Sequence, residues 1–207
     1  MSRFKEYITE GNLTLEQAIE GIKKDCKPFL KDIKGTLGTL VRMQGGTSSN
    51  PFLLKTIRKE REPLDTFEPI HEITDNWFNK EFGWKARSNV IFCWGKPFSN
   101  ISDILTNYYL VFPVGKYKYV WSPEVNDLTE YLEADKDFYH GKHPEKEEMD
   151  DILDRLVDAK YTDKNIRRAV VSYNEVMINA KSAYMVSTTF LKEVNEKLEL
   201  SWQGIRK

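Results

Sequence analysis

The chain has 207 residues, of which 40% are hydrophobic and 13% aromatic, a composition that is typical of a packed globule and excludes a disordered chain. A formal net charge of −1 gives no overall field that would favour nucleic acid or an acidic membrane surface. No run of about 18 apolar residues occurs, and we expect neither a membrane-spanning helix nor a signal peptide. With only Cys26 and Cys93, we expect reduced thiols in a cytoplasmic protein.

The start of the chain is predicted to form one long helix followed by a strand. Thr14 and Gln17 have the spacing of a capping box, and apolar residues recur with helical periodicity over residues 15–33. Gly35 then interrupts the pattern, and residues 37–43 are predicted to form a strand.

The middle of the chain is predicted to hold one clear helix and three strands. Apolar residues recur at helical spacing over residues 69–82, and Gly83 provides a C-terminal stop. The other segments, in chain order, are a flexible loop at 45–51, a basic stretch at 55–63, strands at 89–94, 108–114 and 117–121, and a short helix at 101–106.

Residues 124–158 carry thirteen acidic residues against four basic ones. Because like charges repel, we expect this segment to be an exposed helical flap outside the core. The remaining predicted elements are helices at 145–159, 163–172 (capped by Thr162) and 189–200, and a closing hairpin of strands at 175–179 and 183–186. The mixture of strands and helices indicates an α+β or mixed α/β fold.

Arg42 is the first candidate for a binding residue. It lies between Val41 and Met43 on a predicted strand, so its side chain points away from these apolar neighbours. A guanidinium group there either binds a phosphate or a ribose through paired hydrogen bonds, or is an ordinary solvated strand arginine.

Glu175 begins a predicted strand, next to the polar Asn174. In chemistry that cleaves a nucleotide glycosidic bond, a carboxylate stabilises the positive charge that develops on the ribose. The alternative is an exposed glutamate at a strand edge.

The strand between these two carries Ser88 at its start and Cys93 and Trp94 at its exit. Cys93 is small enough to replace a hydroxyl residue, although a cysteine in an apolar strand is usually a core residue. Trp94 either stacks on a flat ring or packs in the core.

Two further groups of charged or ligating residues occur in the sequence. Arg58, Lys59 and Arg61 form a basic patch that either holds a pyrophosphate or an acidic partner, or is a solvated charge run. No second ligand pair accompanies His140 and His143, so no metal site is expected. No phosphate-binding glycine motif and no nucleophile elbow occurs, which leaves nucleotide hydrolysis and serine-hydrolase chemistry without support.

Three segments, in this order, resemble the arginine, serine and glutamate strands of ADP-ribosyltransferases: residues 38–45, 87–95 and 174–178. A second set of motifs is similar to a family of small uncharacterised tailed-bacteriophage proteins: residues 58–66, His71, and residues 75–78, 82–83, 87–92 and 111–115. This resemblance covers residues 35–186, and residues 4–10 are also similar to the start of virion-associated or prohead-associated phage proteins.

The resemblance implies an α+β fold with an ADP-ribosyltransferase-like split antiparallel β-core flanked by helices. It divides the chain into an N-terminal helical segment (1–35), the transferase-like domain (36–188) and a C-terminal helix and tail (189–207).

The activity implied is that of a phage mono-ADP-ribosyltransferase that uses NAD to modify a host protein or nucleic acid. Glu175 and Arg42 are the implied catalytic residues. The implied NAD-binding residues are Arg42, Ser88, Cys93, Trp94, Arg58 and Arg61. The implied location is the host cytoplasm, and packaging in the virion or attachment to it is the alternative.

Two departures from the transferase pattern support an alternative. Cys93 and Trp94 stand in place of the hydroxyl residues, and Tyr173 stands where arginine-modifying transferases carry a second glutamate. Arginine is therefore not the expected acceptor. The alternative is a noncatalytic protein that retains the fold and binds other virion proteins or a host factor.

Overall fold

The computed structural model of the protein describes residues 13–43, 50–57, 68–101, 108–132 and 144–200. Within these ranges the helices are α1 (Leu15–Asp25), α2 (Lys27–Asp32), α3 (Glu68–Phe82), α4 (Leu128–Leu132), α5 (Lys146–Asp158), α6 (Ile166–Ala169) and α7 (Leu191–Leu198). The strands are β1 (Gly38–Met43), β2 (Phe52–Thr56), β3 (Ile91–Pro97), β4 (Tyr108–Pro113), β5 (Lys118–Trp121), β6 (Glu175–Asn179) and β7 (Ser182–Ser187). Single 3₁₀ turns lie at Phe98–Asn100 and Thr188–Phe190.

The predicted N-terminal helix is two helices with a break at Cys26. The capping box at Thr14 and Gln17 is present, with both of its hydrogen bonds. Pro28 lies in the first turn of α2, where its missing N–H costs nothing, whereas in the interior of a continuous helix it would clash with the preceding turn. The prediction of a single helix over residues 15–33 is therefore wrong at this point.

The seven strands form one antiparallel sheet in the order β2-β7-β4-β1-β3-β6-β5. This confirms an α+β fold with an antiparallel sheet flanked by helices. The central strand β1 pairs with β3 along its first part and with β4 along its last part. Gly38–Val41 pair with β3 and Val41–Met43 pair with β4, so β1 moves away from β3 after Val41.

Strands β6 and β7 are consecutive in the chain but do not form the predicted hairpin. β6 pairs with β3 and β5, whereas β7 pairs with β2 and β4. The step from Asn179 to Ser182 spans at most about 11 Å of extended chain. The sheet must therefore coil strongly, so that the end of β6 comes beside the start of β7. The Val114 N–H donates to the Ser182 carbonyl at 2.9 Å, at this corner.

Alternating residues of β6 face two different apolar clusters. Val176 and Ile178 belong to the larger cluster, to which α1, α2, α6 and α7 contribute. Met177 belongs to the second cluster, with Val120 of β5 and residues of α3, α4 and α5. Because side chains alternate along a strand, Glu175 points to the same side of the sheet as Met177.

The described parts of the acidic segment, residues 124–132 and 144–158, contribute to the core and are not an outlying flap. Leu128 and Leu132 of α4 and Ile152 and Leu156 of α5 are all buried in the second cluster, while the acidic residues of α5 lie mostly on its outer side. The prediction failed because a count of charges carries no information about which face of a helix they occupy.

Other predicted boundaries changed for local reasons. The helix predicted at 163–172 is reduced to α6, because Asn165 has the left-handed φ of 61° and Thr162 forms a bridge with Trp121 instead of a cap. Most of the predicted short helix at 101–106 and of the loop at 45–51 lies outside the described residues.

Candidate functional site

Glu175 lies at the start of β6 and is enclosed by the protein. Its backbone N–H donates to the Asn126 carbonyl at 2.8 Å, which anchors β6 to the segment before α4. The side chain is only 6% exposed. Its Oε2 atom lies 3.5 Å from Nη1 of Arg87, whose side chain is also buried. The site is thus a buried carboxylate–guanidinium pair.

Besides Glu175, two other residues contact the Arg87 guanidinium. Its guanidinium carbon lies 4.7 Å from the centre of the Phe92 ring, and Nη2 donates to Thr129 Oγ1 at 3.1 Å. Thr129 belongs to α4, whose first turn is capped by Asp127 through the Thr129 N–H at 2.8 Å. Helix α4 therefore covers the Arg87–Glu175 pair.

Burial raises the pKa of Glu175 to about 7, even though the nearby Arg87 lowers it. Desolvation outweighs the ion pair here, because a distance of 3.5 Å is long for a hydrogen bond and the carboxylate is removed from water. Asp127 adds a further increase, and the Leu128 N–H opposes it. A carboxyl group with this pKa can exchange a proton near neutral pH, which is a property of general acids and bases.

The Tyr161 hydroxyl belongs to the same buried region. Its ring packs edge-on against Phe78 at 4.9 Å, and among the described residues its hydroxyl has no hydrogen-bond partner. Burial raises the pKa of Tyr161 well above its ordinary value, and the charge of Glu175 adds to this. The tyrosine therefore stays protonated.

We expect stability to depend on pH through Glu175. Its pKa is about 7 in the folded protein, against 4.5 for an ordinary glutamate, so the folded state binds this proton more tightly. The contribution of this bound proton to the free energy of unfolding is fully present below about pH 4.5 and is lost as the pH rises through about 7. The free energy of unfolding changes by at most on the order of 3 kcal/mol between these limits. Urea unfolding of the parent and of Glu175→Gln across this range should show the parent gaining stability relative to the variant as the pH falls. A free-energy difference that stays constant with pH would contradict this.

The turn that carries Arg87 is fixed by Asp75, a residue that the sequence prediction missed. Asp75 is buried on α3, and its Oδ1 accepts from the Arg87 N–H at 2.7 Å and from the Ser88 N–H at 3.3 Å. The Ser88 hydroxyl donates to Asp75 Oδ2, and His71 Nε2 lies 3.0 Å from the same hydroxyl. The spacing of His71 and Asp75, one helical turn apart, was the available signal.

This serine, histidine and aspartate do not form a hydrolase triad. Asp75 contacts Ser88 directly, and it lies 3.6 Å from the same His71 nitrogen that faces the serine. In a triad the aspartate would orient the opposite ring nitrogen. The cluster instead positions the turn, and hence Arg87.

Arg42 lies at the point where β1 separates from β3. Its Nη1 donates to the Phe92 carbonyl at 2.8 Å, just beyond the last registered β1–β3 pair, Val41 with Trp94. Burial lowers the pKa of Arg42, and Cys93 opposes this change. Arg42 therefore joins the two strands across their divergence.

The predicted site residues are divided between two sides of the sheet. Val41, Trp94 and Glu175 lie in one cross-strand row and so point to one side, whereas Arg42 and Cys93, each next to a member of that row, point to the other. Cys93 is fully buried, and burial raises the pKa of its thiol to about 12. Arg58 and Arg61 lie outside the described residues.

Three of the predicted NAD-site side chains are engaged with other groups of the protein. The Glu175 carboxylate faces Arg87, the Ser88 hydroxyl is bonded to Asp75, and the Cys93 thiol is in the core. A cavity of about 320 Å³ lies elsewhere, between α2, the following turn and the end of α7, and is lined by residues that include Lys31, Lys34, Phe98 and Glu199. None of the predicted site residues lines it.

No protein-family model, curated protein or solved structure matches this chain. In the part of the chain that the structure describes, none of the helices has the length and hydropathy needed to cross a bilayer. The same part contains no group of three or more His, Cys, Asp or Glu side chains placed to bind a metal ion.

Proposed function

We propose that the chain is a noncatalytic bacteriophage protein that retains an ADP-ribosyltransferase-like β-core and binds a host or virion protein. The split core is supported by the divergence of β1 from β3 after Val41. The phage context rests on the sequence resemblance.

The enclosure of Glu175 is the observation that carries this proposal. A carboxylate that stabilises a ribosyl cation must face an open cleft, whereas the Glu175 side chain is 6% exposed and its carboxylate is paired with Arg87. Separating a buried ion pair leaves an uncompensated charge and costs about 3–5 kcal/mol. A substrate would have to supply that free energy before any chemistry began.

NAD-dependent ADP-ribosyl transfer is the second candidate function. It is favoured by the adjacency of β1, β3 and β6, the strands that carry Arg42, Cys93 and Glu175. The pKa of Glu175 near 7 also suits a group that exchanges protons.

The two functions are separated by an assay of NAD binding and cleavage. We expect the parent protein to show no calorimetric binding of millimolar NAD and no release of nicotinamide in a bacterial lysate. Glu175→Gln, and Glu196→Gln as a control at an exposed site on α7, should behave in the same way. The proposal is overturned if the parent releases nicotinamide, Glu175→Gln loses about 100- to 1000-fold in rate, and Glu196→Gln keeps it.

A further inference from the structure

Helix α5 has an apolar row on its outer side in addition to its buried face. Ile152 and Leu156 are buried, whereas Leu153 is 37% and Val157 63% exposed. With Met149, which is partly buried, these two residues follow a spacing of four and lie on one side of the helix. We define Met149, Leu153 and Val157 as the outer row.

An acidic row lies directly beside the outer row. Each residue of the outer row is followed in the chain by an aspartate, and these aspartates form the acidic row: Asp150, Asp154 and Asp158. All three are exposed. Residues 145–158 together contain seven acidic and two basic residues, so this surface is strongly negative although the whole chain is nearly neutral.

Two basic groups near the acidic row, those of Arg155 and Lys160, are bound to other partners. Arg155 Nε donates to Asp151 Oδ2 at 2.8 Å, one turn earlier on α5. Lys160 Nζ lies 3.5 Å from Glu124 Oε1. Among the described residues, no cation forms an ion pair with Asp150, Asp154 or Asp158.

We propose that the outer and acidic rows of α5 bind a basic amphipathic helix of a partner protein. Such a helix places an apolar row against Leu153 and Val157 and a row of lysine or arginine against the three aspartates. The charge complementarity identifies the chemistry of the partner, and the spacing of four on α5 matches a helix laid along it. The inference rests on the proposed binding function and assigns a surface to it.

The affinity should be modest, because two exposed apolar side chains and three carboxylates make a small interface. Interfaces of this size are typical of weak and transient complexes. Since the charges are exposed, salt should weaken the complex.

The test uses a fluorescent synthetic helical peptide with leucines at i, i+4 and i+8 and lysines beside them, followed by anisotropy. We expect the parent to bind it and Leu153→Asn/Val157→Asn to weaken binding about tenfold or more. The triple variant Asp150→Asn/Asp154→Asn/Asp158→Asn should also weaken binding and remove most of its salt dependence. Leu37→Asn, which changes another apolar side chain that is 63% exposed, is the matched control and should bind as the parent does.

Absence of peptide binding by the parent, or equal binding by the parent and both α5 variants, would overturn the proposal. So would a parent dimer in sedimentation that the Leu153→Asn/Val157→Asn variant dissociates, because the occupant would then be a second copy of the chain. These outcomes are independent of the NAD assay. A cleavage activity would overturn the noncatalytic function and leave the peptide result unchanged.

Discussion

Replacing Arg87 by methionine is expected to destabilise the protein by about 3–5 kcal/mol, because Glu175 would be left as an unpaired buried charge. Arg87 Nη1 lies 3.5 Å from the Glu175 carboxylate, and both side chains are almost inaccessible to water. The Thr129 hydroxyl would also lose its contact with the guanidinium. Urea unfolding at about pH 8 measures the effect, since Glu175, with its pKa of about 7, is then mostly ionised in the parent protein.

Two variants serve as controls for this loss. Arg87→Met/Glu175→Gln removes both charges and should recover at least half of the lost stability, which a double-mutant cycle quantifies. Arg167→Met changes an exposed arginine that donates to the Lys34 carbonyl, and it should cost less than about 1 kcal/mol. If Arg87→Met costs no more than Arg167→Met, the carboxylate is not held as a charge in a closed core. The enclosure of Glu175 would then no longer support a noncatalytic function.

Gly95→Ala is expected to cost about 3 kcal/mol or more, because the added methyl group has no room. A Cβ at this position of β3 would overlap the backbone carbonyl oxygen of Ala169, at the end of α6. The same glycine receives the Tyr173 N–H at 3.0 Å and donates to the Asn174 carbonyl at 3.1 Å. Moving α6 away would therefore also displace the segment that leads into Glu175.

The matched control is Gly115→Ala, where the strain is of another kind. Gly115 has a left-handed φ of +68°, and a Cβ there would meet nothing within 4 Å. Alanine is disfavoured there only because an L-residue rarely adopts this φ, which lowers the free energy of unfolding by about 1–2 kcal/mol. Chemical unfolding of both variants compares the two effects. A smaller loss for Gly95→Ala than for Gly115→Ala would show that α6 does not pack against β3 as described.

The bounds of α3 could be predicted from local sequence. The prediction over residues 69–82 agrees with Glu68–Phe82, because helical periodicity and a glycine stop act within a few residues of each other. The role of Ser88 could not be predicted in this way. Its hydroxyl was assigned to a cofactor but is bonded to Asp75, thirteen residues earlier, and no local rule pairs these two side chains.

The sequence by itself limited the fold to α+β or mixed α/β and determined the capping box at Thr14 and the approximate positions of six of the seven described strands, because periodicity and caps are properties of neighbouring residues. It missed β2, at Phe52–Thr56, where a loop and a basic stretch were predicted. Only the tertiary structure decided which strands pair. β6 and β7 look like a hairpin in sequence, yet they lie apart in the sheet order. It also decided that Glu175 meets Arg87, 88 residues earlier in the chain. Strand pairing and buried ion pairs depend on which distant surfaces the coiled sheet brings together, and a single sequence carries no local signal for that.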